Sequence, residues 1–218
     1  MMSAKARAKD HRPRPAAGHG DASSGRLSCF YDRRYEAYSR RVLPGDYYVT
    51  GAKDEMIVTV LGSCVAACIR NPRTGYGGLN HFMLPQSDSG EWNGVSAATR
   101  YGNHAMEALI NEILKSGCSR DDLEIKVFGG ANVAIGPSMV GRKNSEFVLH
   151  YLADEGLRVV AQDLGGSHGR RIHYFPATGK VGRVFLKRTS EALVVNEERQ
   201  YVSKLDHIPV DGGIELFD

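Results

Sequence analysis

Hydrophobic and polar positions in this chain sort into short runs. Met56-Ile57-Val58-Thr59-Val60-Leu61 is dominated by β-branched residues and predicts a strand, which Gly62-Ser63 interrupts. A second apolar run covers residues 64–69 and stops at Asn71-Pro72-Arg73-Thr74-Gly75, a segment with turn chemistry. A third run covers residues 76–84 and closes at Pro85. The second and third runs predict a β-hairpin. Tyr101, Ala105, Ala108, Leu109 and Ile113 recur at helical spacing, which predicts a helix over 101–115 ended by Gly117. Phe147, Val148, Tyr151 and Leu152 give a second helix over 144–155, with Asn144 as its cap and Gly156 just past its end. Further strands are expected at 123–128, 157–163, 171–175 and 181–186, the last two around the turn Pro176-Ala177-Thr178-Gly179. Residues 91–99 are polar and small and predict a loop. Six or seven strands and two main helices without strict alternation predict an α+β fold, with helices on one side of a largely antiparallel sheet.

Composition adds bounds. With 218 residues, 42% hydrophobic and 24% charged, the chain is an ordinary globular sequence with room for one main domain. Glycine is in excess, at 25 residues, which fits many tight turns. No apolar stretch reaches the roughly 18–20 residues of a membrane-spanning helix, so no membrane insertion is expected. The net charge of +3 is uneven: within residues 1–26 six basic side chains face two acidic ones, which leaves the rest of the chain at −1. That body gives no reason to expect a nucleic-acid footprint. Residues 1–28 lack hydrophobic periodicity and an apolar signal region, and are expected to form a disordered basic extension. The folded domain is expected over 42–190, followed by a weakly patterned C-terminal extension over 191–218. The four cysteines, Cys29, Cys64, Cys68 and Cys118, form no CxxC pair and no zinc-ligand spacing, so no metal is expected. Reduced thiols in a cytoplasmic protein are the simplest expectation.

The hairpin brings chemistry together. Its turn centres near Arg73, with Cys64 nine residues before and His81 eight after. Residues equidistant from an antiparallel turn face each other, so Cys64 and His81 are expected to be directly or diagonally opposed. A thiol beside an imidazole is the minimum constellation for a cysteine nucleophile. Gly62 and Ser63 break the strand just before Cys64, and N–H groups freed there suit an oxyanion. From spacing alone the ordinary reading is favoured: a small buried cysteine on a strand, and a histidine satisfied elsewhere. Cys68, on the same face as Cys64 in a continuous strand, is expected in the core. The Gly165–Gly169 run lacks a phosphate-loop spacing and precedes a strand, so it is discounted.

Several separated motifs match a known family. Thr59-Val60-Leu61-Gly62-Ser63-Cys64-Val65-Ala66-Ala67-Cys68, followed by His81-Phe82-Met83-Leu84-Pro85, resembles the signature of the CheD family of chemoreceptor glutamine deamidases. Phe128-Gly129-Gly130-Ala131, Asn144 with its helix, and Asp163-Leu164-Gly165-Gly166 leading to Gly169-Arg170-Arg171 agree in order. The resemblance spans roughly residues 45–190 and raises the catalytic reading above the ordinary one. It implies a three-layer α/β/β sandwich with mostly antiparallel strands. It implies a protein-glutamine glutaminase that converts glutamine side chains of methyl-accepting chemotaxis receptors to glutamate through a Cys64–His81 thioester mechanism, without cofactor. It also implies a threonine that orients the histidine. Thr59 is the candidate, but it lies five residues before the cysteine where the family pattern has six. One residue reverses the face of a regular strand, and a bulge at Gly62 would restore it. The alternative from another class is a non-catalytic chemotaxis regulator that binds receptors or the CheC phosphatase.

Overall fold

Two adjacent apolar runs, separated only by Gly62-Ser63-Cys64, fold into different sheets, and their burial patterns differ accordingly. The computed structural model describes residues 29–84, 97–133 and 139–205. The N-terminal extension over 1–28, most of the loop expected over 91–99, and residues 206–218 lie outside the described residues. In chain order the strands are β1 (Cys29–Asp32), β2 (Ala37–Arg41), β3 (Tyr47–Thr50), β4 (Glu55–Leu61), β5 (Val65–Arg70), β6 (Gly77–Asn80), β7 (Glu124–Gly129), β8 (Val159–Leu164), β9 (Arg170–Phe175) and β10 (Lys180–Phe185). The helices are α1 (Ala97–Leu114), α2 (Val140–Asp154) and α3 (Arg188–Leu205).

The strands form two five-stranded sheets, ordered β1-β2-β4-β9-β10 and β3-β6-β5-β7-β8. Only the β2–β4 and β7–β8 pairs are parallel. β4 belongs to the first sheet and alternates: Ile57, Thr59 and Leu61 are buried, while Val58 and Val60 are partly exposed. β5 lies inside the second sheet and is buried from Val65 to Ile69 without alternation, because both of its faces are covered. One face meets the first sheet, where Cys64, Ala66 and Cys68 pack with Ile57, Leu61, Ile172 and Tyr174. The other face meets the helices, where Val65, Ala67 and Ile69 pack with Met106, Leu109, Ile110, Ile113, Val148 and Leu152. The result is helices on sheet on sheet, the three-layer α/β/β sandwich. Each fully buried aliphatic side chain stabilises it by about 1.5–3 kcal/mol.

Four expectations read from the residues alone change. A single sheet becomes two, because hydrophobic periodicity reports burial and not which sheet a strand joins. Asn144 does not cap α2: the helix begins at Val140, and Asn144 is a fully buried residue one turn in. The weakly patterned segment after Ser190 is the third helix, α3. β1 and β2 precede residue 42, so the folded part includes residues on both sides of 42–190. Gly156 is placed as expected, with φ +67° and its N–H bonded to Ala153 O. Among the described residues no helix is long and apolar enough to cross a membrane.

Candidate active site

The change of sheet at Gly62-Ser63-Cys64 creates a turn whose backbone groups are sorted by side. All three carbonyls have protein donors. Ala131 N–H donates to Gly62 O at 2.8 Å, Asn144 Nδ2 to Ser63 O at 2.8 Å, and Gly130 N–H to Cys64 O at 2.7 Å. With the carbonyls fixed, the three N–H groups converge on one point in front of the turn. Gly129 is what allows this approach. Its φ is +114°, and a Cβ there would lie 2.2 Å from Cys64 O. Asn144 ties the turn to the segment after His81 as well, because its Oδ1 accepts from Leu84 N–H at 2.9 Å.

His81 follows β6, and its register to Cys64 can be read from the ladder. Cys68 pairs with Leu79, and Val65 bridges Phe82. Continuing that register sets Met83 opposite Cys64, so His81 is the diagonal neighbour of Cys64 on the same face. Thr59 reaches His81 from the other sheet. Its hydroxyl donates to Val42 O at 2.8 Å, and its Oγ1 lies 2.8 Å from His81 Nδ1. Because the hydroxyl proton is committed to Val42, Oγ1 accepts from Nδ1–H. The imidazole is thereby held in the tautomer with its lone pair on Nε2. Nε2 is buried and has no hydrogen-bond partner among the described residues, the thiol included. No bulge is needed to bring Thr59 to this position. The strand-parity objection assumed one continuous strand, whereas the chain changes sheets between Thr59 and Cys64.

The point on which the N–H groups converge is filled by Glu198 of α3. Gly62 N–H and Cys64 N–H donate to Oε1 at 3.1 and 3.0 Å. Ser63 N–H and its hydroxyl donate to Oε2 at 3.2 and 2.6 Å. Glu198 is only 6% exposed. Gly62 leaves room for it, since a Cβ at that position would come within 2.9 Å of Oε1. Burial, and then the Glu198 carboxylate, push the Cys64 thiol well above its ordinary pKa. Burial lowers His81 to about 3. With α3 in place the pair is therefore neutral thiol and neutral imidazole, not an ion pair. Sequence reasoning missed Glu198. Its signal was an acid inside an apolar helical stripe, Val194, Glu198, Tyr201 and Val202, at spacings of four, seven and eight residues.

Cys68 lies in the core between the sheets, Cys118 packs against the helix-side core, and Cys29 is exposed on β1. Among the described residues no group of three or more His, Cys, Asp or Glu could hold a metal ion. Arg170 is 1% exposed and paired with Asp163, and it organises the Gly165-Gly166 connection by donating to Gly165 O.

Comparison with known proteins shows what the whole chain is similar to. A family model described as CheD chemotactic sensory transduction matches residues 83–184. A probable chemoreceptor glutamine deamidase CheD from Rhodopseudomonas palustris (strain BisA53) is 49% identical over 211 residues, covering 97% of this chain and 98% of its own. Proteins of the same description from Halorhodospira halophila (strain DSM 244 / SL1) and Herminiimonas arsenicoxydans are 46% and 50% identical. They cover 88% and 86% of this chain, and 91% and 93% of their own. A solved structure, the Bacillus licheniformis hypothetical protein YfiH, overlaps 56% of this chain and 50% of its own at 16% identity, with a TM-score of 0.34, too low to carry an argument.

Proposed function

Because the chain belongs to the CheD family, we propose that it hydrolyses glutamine side-chain amides on methyl-accepting chemotaxis receptors, giving glutamate and ammonia. The observation that carries this reading is the convergence at one turn of a buried thiol, an imidazole with an open Nε2 lone pair, and three N–H groups that bind an anion.

In this reading His81 Nε2 takes the Cys64 proton as sulfur attacks the glutamine δ-carbon. The carbonyl oxygen becomes an oxyanion held by the N–H groups at residues 62–64. The C–N bond breaks as His81 returns the proton to the departing nitrogen, which leaves as ammonia. His81 then takes a proton from water, which attacks the thioester. The C–S bond breaks, the thiolate recovers its proton, and glutamate departs. Thr59 is a positioning residue that fixes the tautomer which makes His81 a base. No step requires a cofactor. The substrate lies on the cytoplasmic part of the receptor.

The test is ammonia release, and Gln-to-Glu conversion by mass spectrometry, on a purified receptor cytoplasmic fragment. Wild-type protein is expected to convert specific glutamines and Cys64→Ala none. Equal release by Cys64→Ala would end the assignment. Absence of conversion by folded wild type would leave the alternative, a regulator that binds receptors or CheC.

A further inference from the structure

Glu198 is an unusual buried acid. It is bound by three backbone N–H groups and one hydroxyl, and no ion pair to it is formed among the described residues. Buried carboxylates are costly unless paired or fully hydrogen-bonded, so this one marks an anion site. Its chemistry also matches that of the reaction. A glutamate side chain is what a deamidated glutamine becomes, and its two oxygens occupy the donors assigned to the oxyanion.

The rest of α3 is seated around this contact. Val194 is buried, and Tyr201 and Val202 pack on the inter-sheet core. The Tyr201 ring lies over Gly45, where a Cβ would come within 2.7 Å, and its hydroxyl bonds that of Tyr101. Glu197 bonds Arg41 at 2.8 and 3.0 Å, with both side chains 42% exposed. The seating is incomplete, for a cavity of about 310 Å³ remains beside Glu198, bordered by Ser63, Met83, Val133, Val195 and Val202. Leu193 points outward, 69% exposed. A helix that reaches the inter-sheet core only at its edge, carries one buried polar anchor, and is otherwise tied by partly exposed contacts, Glu197 to Arg41 and Glu191 to His168 and Gly169 N–H, fits a removable element better than a structural one.

We propose that α3 is an autoinhibitory helix that holds the site in a product-like state, with Glu198 standing where the γ-carboxylate of the product glutamate is released. A substrate helix carrying glutamine at the corresponding position displaces it to reach Cys64. The product-like part rests on the deamidase reading. The covering of the thiol does not.

Substitutions made in the whole chain test it. In Glu198→Ala the anchor is gone, and Cys64 is expected to react with iodoacetamide at neutral pH at least tenfold faster than in wild type, followed on the Cys64 peptide so that Cys29 and Cys118 do not contribute. An unchanged rate overturns the proposal. Should this variant not fold, Tyr201→Ala, which leaves the turn untouched, is expected to accelerate labelling, and no acceleration overturns it equally. In Glu198→Gln the helix becomes a tethered substrate. The introduced side-chain amide plus water is expected to give the original carboxylate plus ammonia, at a rate independent of protein concentration, and not in Glu198→Gln combined with Cys64→Ala. Persistence of the introduced amide in a preparation that deamidates receptor glutamines overturns product mimicry and leaves the deamidase intact. Fast labelling of Glu198→Ala with no deamidation of either substrate leaves the helix as a cover and removes the deamidase reading.

Discussion

The turn at residues 62–64 and helix α3 meet at the same three N–H groups, yet they are held in opposite ways. Each carbonyl of the turn has its own donor, and the turn is braced from α2 and from the two residues that follow β7. Helix α3 is held by Glu198, by Glu191 on Gly169 N–H and His168 in its first turn, by tyrosine packing at its far end and by an exposed ion pair. One region is over-determined and the other is conditional. A site that must present rigid donors to a developing charge, and must also admit a macromolecular substrate, needs both kinds of region.

The largest effect is expected from breaking the braced side. Gly129→Ala sets a methyl 2.2 Å from Cys64 O in a left-handed conformation. Backbone strain and overpacking together should cost about 4 kcal/mol and lower the melting temperature by roughly 10 °C. A melting temperature within two or three degrees of wild type would show that the turn yields easily. Asn144→Ala comes next. It strips partners from Ser63 O and Leu84 N–H, for a loss of about 3 kcal/mol by denaturant titration. The same change should slow any chemistry at Cys64, because both ends of the Cys64–His81 pair lose their common tie.

Thr59→Val keeps the shape of the side chain and removes both of its bonds. Val42 O and His81 Nδ1 are left buried, costing about 2 kcal/mol, and the imidazole loses the contact that fixes its tautomer. The expected signature is a fall in kcat of about a hundredfold with KM unchanged. A kcat within threefold would remove Thr59 from its positioning role.

The pH response sharpens the same contrast. His81 is neutral in the folded chain, with its pKa lowered from 6.5 to about 3 by burial, whereas unfolding returns it to water. Between those values the unfolded state binds the extra proton. The contribution of His81 is thus fully present above about pH 6.5 and is lost as pH falls toward 3. The steepest slope is about 1.4 kcal/mol per pH unit for one proton. His81→Gln should flatten the urea midpoint across that window, and an unaltered slope would assign the acid limb elsewhere, with the buried His173, also lowered by desolvation, the next candidate.

How much of this was legible in the sequence depended on whether the partner was near in the chain. The β5–β6 hairpin was, since turn chemistry at residues 71–75 fixes the register, and with it the diagonal placement of Cys64 and His81. The buried stripe of α2 was too, in Val148, Tyr151 and Leu152, but that of α1 only in part: Leu109 and Ile113 are buried, Tyr101, Ala105 and Ala108 are partly buried, and Met106 and Ile110 complete the stripe. The change of sheet at Gly62 was not, because a β-branched run reads the same in either layer, and Thr59 looked misplaced until the layer was known. Asn144 has the composition of a cap, and only contacts 60 and 81 residues away give it another task. Glu198 lies 134 residues from Cys64, on a helix whose narrow apolar stripe is broken by that same acid.

The smallest expected effect falls on the conditional side and is the more discriminating for it. Arg41→Ala removes the ion pair to Glu197, in which both side chains are 42% exposed. Such a pair is screened by water and is worth about 0.5 kcal/mol or less, so the global unfolding midpoint should not move measurably. If α3 opens independently of the body, the same small loss acts on a local equilibrium. Amide exchange along residues 190–203 should then quicken about twofold, while residues 62–64 and β5 keep wild-type protection. At about 1 M salt, where the screening length is near 3 Å, wild type and variant should converge. Equal acceleration in β5 would mean that helix and body open as one unit, and the difference between the two regions would then be one of geometry alone.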